Sequence, residues 1–147
     1  MSNGALAIGY YGSGTLNVSN FGNVDVSGED GSDGVAVYLG RHGGSSGTLS
    51  LDTNSTMSVD NGALAVGYLG TGTLSITNGG NLDVAGEDKN FGVYLGYNGS
   101  ATGTATVDDS SFYIDNGALA VGYNGTGVLT IQNGGYMDCL LYTSRCV

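Results

Sequence analysis

Glu29, Asp30 and Asp33 lie together in a glycine-rich loop, Gly28-Glu29-Asp30-Gly31-Ser32-Asp33-Gly34, the first feature of this chain that could do chemistry. Calcium is held by several carboxylate and carbonyl oxygens, so such a loop is a candidate Ca²⁺ site. It lacks the EF-hand spacing and the Gly-Gly-x-Gly-x-Asp nonapeptide of calcium-binding β-rolls. Solvated turn carboxylates are the plainer reading, and no cofactor is expected. Glu87 and Asp88 fill the equivalent loop, and Asp108-Asp109 form a further acidic pair.

Carboxylates also cleave polysaccharides. Glycoside hydrolysis needs a pair set across a cleft, and lyases add Arg or Lys to a metal-bound acidic cluster. The repeats offer Arg41, His42 and Lys89. The longest loops, Ser27–Gly34 and Ala85–Phe91, are too short to wall a cleft. The chain is therefore read as having no catalytic residues and no enzymatic activity.

Two further residue patterns stand out. Aligned repeats put Tyr10, Arg41, Tyr68, Tyr97 and Tyr123 at one position, just after a glycine that ends a strand. A stacked ladder there would hold Arg41 between rings through cation–π contact. It would form a surface able to meet sugars, or rings that pack on each other. Tyr38 and Tyr94 alternate with Ala7, Ala65 and Ala120 on an expected outer face. Thr15, Thr48, Thr73 and Thr104, with Ser50, Ser75, Thr106 and Thr130, form an impure Thr array like those of ice-binding solenoids, but Thr is also an ordinary exposed strand residue.

These residues hang on a repeated frame. One unit recurs five times: apolar-x-apolar-Gly, a glycine-rich turn, Thr-apolar-x-apolar, a second turn, apolar-x-apolar. The tight copies are Asn3–Val26, Asn61–Val84 and Asn116–Asp138; the looser ones, Gly34–Asp60 and Phe91–Asp115, lie between them. Residues two apart share one face of a strand. Leu64 and Val66, Leu74 and Ile76, Leu82 and Val84, with their counterparts in the other units, thus define an inner face. Three short strands cannot bury that face alone, and stacking the units does. The predicted fold is all-β, a parallel β-solenoid of about five rungs of three strands; an antiparallel sandwich is the runner-up, but it would not require the same three-strand pattern to recur in register five times. At about 4.8 Å per rung the rod is roughly 25 Å long. The rungs are read at about 3–30, 31–60, 61–88, 89–115 and 116–138, forming one domain over 1–138. Gly-rich corners such as Gly70-Thr71-Gly72, and the complete lack of Pro, agree with this. The Asn-Gly-Gly corners at Asn78–Gly80 and Asn133–Gly135, with Asn20-Phe21-Gly22 as a variant, are expected to bond between copies.

A formal charge of −10 argues against nucleic-acid binding and against attraction to anionic membranes. No apolar run is long enough to span a bilayer, and no signal peptide is visible. Met1 reads as an internal start within a longer gene. The repeat pattern stops at Asp138, and Cys139–Val147 reads as a non-native tail. The transposase mosaic end TGT CTC TTA TAC ACA TCT translates as Cys-Leu-Leu-Tyr-Thr-Ser, and its reverse complement continues as Arg-Cys-Val and stop. Both cysteines lie in this tail, so they carry no redox inference. The last rung is expected to end as an open edge prone to association.

The string Val66-Gly-Tyr-Leu-Gly-Thr-Gly-Thr-Leu-Ser-Ile-Thr-Asn-Gly-Gly80 resembles the repeat associated with type V secretion (autotransporter) and PEP-CTERM surface proteins. The resemblance covers Gly4 to Asp138. It implies a right-handed parallel β-helix passenger segment, extracellular or at the outer surface of a bacterium, flanked by further repeats of the same parent chain. It implies a stalk or adhesin role, facing a host surface or a polysaccharide. The alternatives are a carbohydrate-binding or carbohydrate-cleaving β-helix and, behind these, an ice-binding solenoid.

Overall fold

The computed structural model describes residues 4–28, 33–86 and 91–140. Among these, all regular structure is β. The first rung is β1 (Leu6–Ile8), β2 (Ser13–Val18) and β3 (Asn23–Ser27). The second is β4 (Val35–Leu39), β5 (Ser46–Leu51) and β6 (Thr56–Asp60), and the third β7 (Ala63–Val66), β8 (Thr71–Thr77) and β9 (Asn81–Ala85). The fourth is β10 (Phe91–Leu95), β11 (Thr102–Asp108) and β12 (Ser111–Asp115). The fifth is β13 (Ala118–Val121), β14 (Thr126–Gln132) and β15 (Tyr136–Leu140).

Each strand pairs in parallel with its counterpart one rung away, giving three five-stranded sheets: β1-β4-β7-β10-β13, β2-β5-β8-β11-β14 and β3-β6-β9-β12-β15. The chain is a β-solenoid. Register follows the alternation in the sequence, because a slip by one residue would turn every apolar side chain outward. In the second sheet Leu49 faces Leu74 and Leu74 faces Ala105. The inward residues of all three sheets form one continuous column, with Leu49, Leu74, Ile76, Leu82, Val84 and Phe112 fully buried. At the last rung the column opens: Val121 is 47% and Ile131 45% exposed, against 0% for Val66 and Ile76.

The corner after each first strand is fixed by a glycine. Gly67 has φ +74°, and a Cβ there would lie 2.2 Å from the Thr102 carbonyl oxygen of the next rung. Only a residue without a side chain lets the rungs approach this closely. The corner after each second strand also turns through the left-handed region, with Asn78 at φ 50° and Asn133 at 49°. Phe21 takes φ 62° at the place where the other tight rungs have Gly79 and Gly134. The expected Asn bonding runs to carboxylates one rung below. Asn78 Nδ2 donates to Asp52 Oδ1 (2.7 Å), and Asn133 Nδ2 donates to Asp108 Oδ1 (3.0 Å).

One expectation is corrected. Tyr38 and Tyr94 do point away from the column, but they are buried and not on an open face. With Ala63, Ala65, Ala120 and Val35 they form a second, smaller core on the outside of the first sheet. Tyrosines from the next turn close it: Tyr68 packs edge-on against Tyr38 and Tyr97 edge-on against Tyr94, at 5.0 and 4.9 Å between ring centroids.

The strand β15 runs past Asp138. Cys139 pairs with Ile114 and takes the inward position, and Leu140 pairs with Asp115. Residues 141–147 lie outside the described residues.

Candidate functional site

The tyrosine position is a candidate that the fold assembles into a file of side chains along the stack. Each residue follows the corner glycine of its rung, so exact stacking of rungs stacks the rings. Tyr68 and Tyr97 lie parallel at 4.7 Å and 12°, and Tyr97 and Tyr123 at 5.4 Å and 14°. The Arg41 guanidinium sits 5.1 Å from the Tyr10 ring centroid and 4.3 Å from that of Tyr38. Arg41 is thus drawn toward the second core as well as along the ladder, a contact worth about 0.5–2 kcal/mol depending on desolvation.

This geometry limits the chemistry. A ring binds a sugar through its face, yet both faces of Tyr97 and one face of Tyr68 are occupied by neighbouring rings. Tyr123, 46% exposed at the last rung, has one face not covered by Tyr97. The hydroxyl of Tyr68 donates to Asp33 Oδ2 at 2.7 Å. Burial, and then that hydrogen bond and the Asp33 charge, hold the Tyr68 phenol well above its ordinary titration range.

Asp33 is therefore tied to the tyrosine ladder. Glu29 and Asp30, the other members of the calcium candidate, lie outside the described residues, as do Glu87, Asp88 and Lys89. Among the described residues no group of three or more His, Cys, Asp or Glu is placed to hold a metal ion. Asp108 accepts from Gln132 Nε2 (2.7 Å) as well as from Asn133, and these bonds hold its carboxyl below the usual range.

A cluster at the start of the ladder was not foreseen. Tyr11, 74% exposed, stacks on His42 at 4.2 Å and 15°, and Tyr10 meets both edge-on at 4.7 Å. Ser45 fixes the His42 turn, accepting from the His42 amide (3.1 Å) and donating to its carbonyl (2.7 Å). Tyr11 and His42 share the position just after the Tyr10–Arg41 column, but Leu69, Asn98 and Asn124 fill it in the other rungs, so no recurring ring signalled the pair.

The third sheet carries the main acidic face. Asp25, Asp60, Asp83, Asp115 and Asp138 point outward from it, with Ser58 and Tyr113 between them. Partial burial, and then the charges of Asp115 and Asp60, push the Asp83 carboxyl above its ordinary value. On the second sheet, Thr15, Thr48, Thr73, Thr104 and Val128 form one outward file and Asn17, Ser50, Ser75, Thr106 and Thr130 a second.

No protein-family model, curated protein or solved structure matches the chain. No helix among the described residues is long and apolar enough to cross a membrane.

Proposed function

We propose that this chain is a structural segment, a rigid stalk or presentation surface, of a secreted or surface-exposed bacterial repeat protein. The supporting observation is that its conspicuous side chains are spent on rung-to-rung contact. The tyrosines stack on each other, Arg41 caps two of them, and Asp52, Asp108 and Asp33 accept hydrogen bonds from adjacent rungs. Every rung is thereby clamped at its corners as well as through its backbone. Parallel strands buried on their inner face and locked in register resist bending and offer proteases few loops.

The acidic surface supports a role away from nucleic acid, and the resemblance to autotransporter and PEP-CTERM repeats supports export and an adhesin-type passenger. Flanking repeats of a parent chain, a host surface or a polysaccharide are the partners this role calls for. The rival reading, a carbohydrate-binding or carbohydrate-cleaving β-helix, draws on the exposed rings of Tyr11 and Tyr123. A glycan array, joined to a cleavage screen on pectin, alginate and related polymers with and without Ca²⁺, separates the two. The stalk reading expects no turnover and at most weak binding. Cleavage that disappears on mutating Glu29, Asp30 or Asp33 overturns it.

A further inference from the structure

We propose that the open edge of the fifth rung is a strand-docking site that selects a polypeptide rung of the loose class, the class of Gly34–Asp60, over one of the tight class. This inference rests on the stacking geometry and is independent of the stalk reading. The strands β13, β14 and β15 are each the last of their sheet, and Val121, Ile131 and Leu140 are exposed there. What covers such an edge is visible inside the molecule, where every tight rung meets only loose rungs.

Two side-chain ladders explain that alternation. On the outside of the first sheet the residues run Ala7, Tyr38, Ala65, Tyr94, Ala120, each opposite the next. Every large ring rests between small neighbours, and this builds the second core. A loose rung on Ala120 would continue the series with a ring; a tight rung would set Ala beside Ala and leave the position unfilled.

The third sheet adds a charge rule. One file reads Asp25, Ser58, Asp83, Tyr113, Asp138, and the file two residues on reads Ser27, Asp60, Ala85, Asp115, Leu140. No two of these carboxylates face each other directly; they form a checkerboard. Like charges directly opposite on adjacent strands are destabilising. Even the diagonal neighbours Asp60 and Asp115 disfavour the charge on Asp83. A loose rung places Ser or Tyr opposite Asp138 and an Asp opposite Leu140, which keeps the checkerboard. The first rung of a second copy would place Asp25 on Asp138 and Ala7 on Ala120, violating both rules. The edge thus accepts one class of strand and rejects end-to-end self-association, which is selectivity by a built-in repulsive element.

The test uses the full chain with three synthetic peptides: residues 34–60, residues 61–86, and residues 34–60 carrying Ser58→Asp. Hydrogen–deuterium exchange of the β13, β14 and β15 amides reads docking. Peptide 34–60 should protect these amides, residues 61–86 should need about tenfold more peptide for the same protection, and Ser58→Asp should weaken docking about fivefold. Equal protection by the tight and loose peptides, no protection by either, or indifference to Ser58→Asp overturns the proposal. So does end-to-end self-association of the chain at pH 7 as strong as its uptake of the loose peptide.

Discussion

Replacing Gly67 by Ala tests whether the corner glycines set the rung spacing. Two costs add. The left-handed backbone at φ +74° costs a residue bearing a Cβ about 1–2 kcal/mol. The new methyl also lies 2.2 Å from the Thr102 carbonyl oxygen and 2.6 Å from its carbon, both backbone atoms that cannot rotate away. The fourth rung must then lift, stretching the bonds from the Gly96 amide to the Val66 carbonyl and from the Tyr97 amide to the Gly67 carbonyl, both 2.9 Å. Each such bond contributes about 0.5–1.5 kcal/mol net. The expected loss is about 2–5 kcal/mol. Gly122 is the internal control. Its φ is +72°, but the nearest atom to a Cβ is 3.3 Å away, because among the described residues no further rung stacks on it. Gly122→Ala should cost only the conformational term, about 1–2 kcal/mol. Urea unfolding of both variants, with m-values compared to confirm the same transition, reads the difference. Equal losses would refute the argument that rung-to-rung clash, and not backbone conformation alone, demands glycine.

Further outcomes follow from the same contacts. Leu74→Asp should lower stability far more than Ser75→Asp, since only the first puts a charge into the column; equal shifts in thermal midpoint would contradict the facing of β8. Phe21→Gly should stabilise by about 1 kcal/mol by relieving a bulky residue at φ 62°, and a lower midpoint would count against it. The Tyr68 phenol is held high, so its contribution is complete below the ordinary tyrosine range and fades as pH rises beyond it. Phenolate absorbance should therefore show a late-titrating tyrosine that Tyr68→Phe removes. The Asp83 carboxyl is also raised, so its charge opposes folding at neutral pH. Asp83→Asn should raise the thermal midpoint at pH 7 and lose that advantage in acid; a gain that persists in acid would show another cause.

The column was legible because its signal is local. Leu74 and Ile76 share a face by strand geometry alone, and the same pair recurs in every unit. The tyrosine ladder was legible for a related reason, since in-register stacking converts an alignment column into a spatial file. Lateral closure was not. Whether Tyr38 is exposed depends on how Tyr68 leaves its turn, and no period encodes that. The Tyr11–His42 stack lies in one column of the first two rungs, but Leu69, Asn98 and Asn124 follow in that column, so no recurring ring announced it. The end of the pattern at Asp138 was drawn from residue identity, whereas the strand asks only for an apolar group facing inward, and the Cys139 side chain supplies one opposite Ile114.

The most direct test of a rigid, in-register solenoid is a spin-label distance along it. Asn17 and Thr130 occupy one outward file of the second sheet, with Ser50, Ser75 and Thr106 between them. Four spacings of about 4.8 Å separate their backbones by about 19 Å. With Cys139 and Cys146 changed to Ser and labels at these two positions, pulsed electron paramagnetic resonance should return one narrow distribution near that separation. A broad distribution, or one centred well beyond it, would contradict both the stacking and the rigidity on which the proposed role depends.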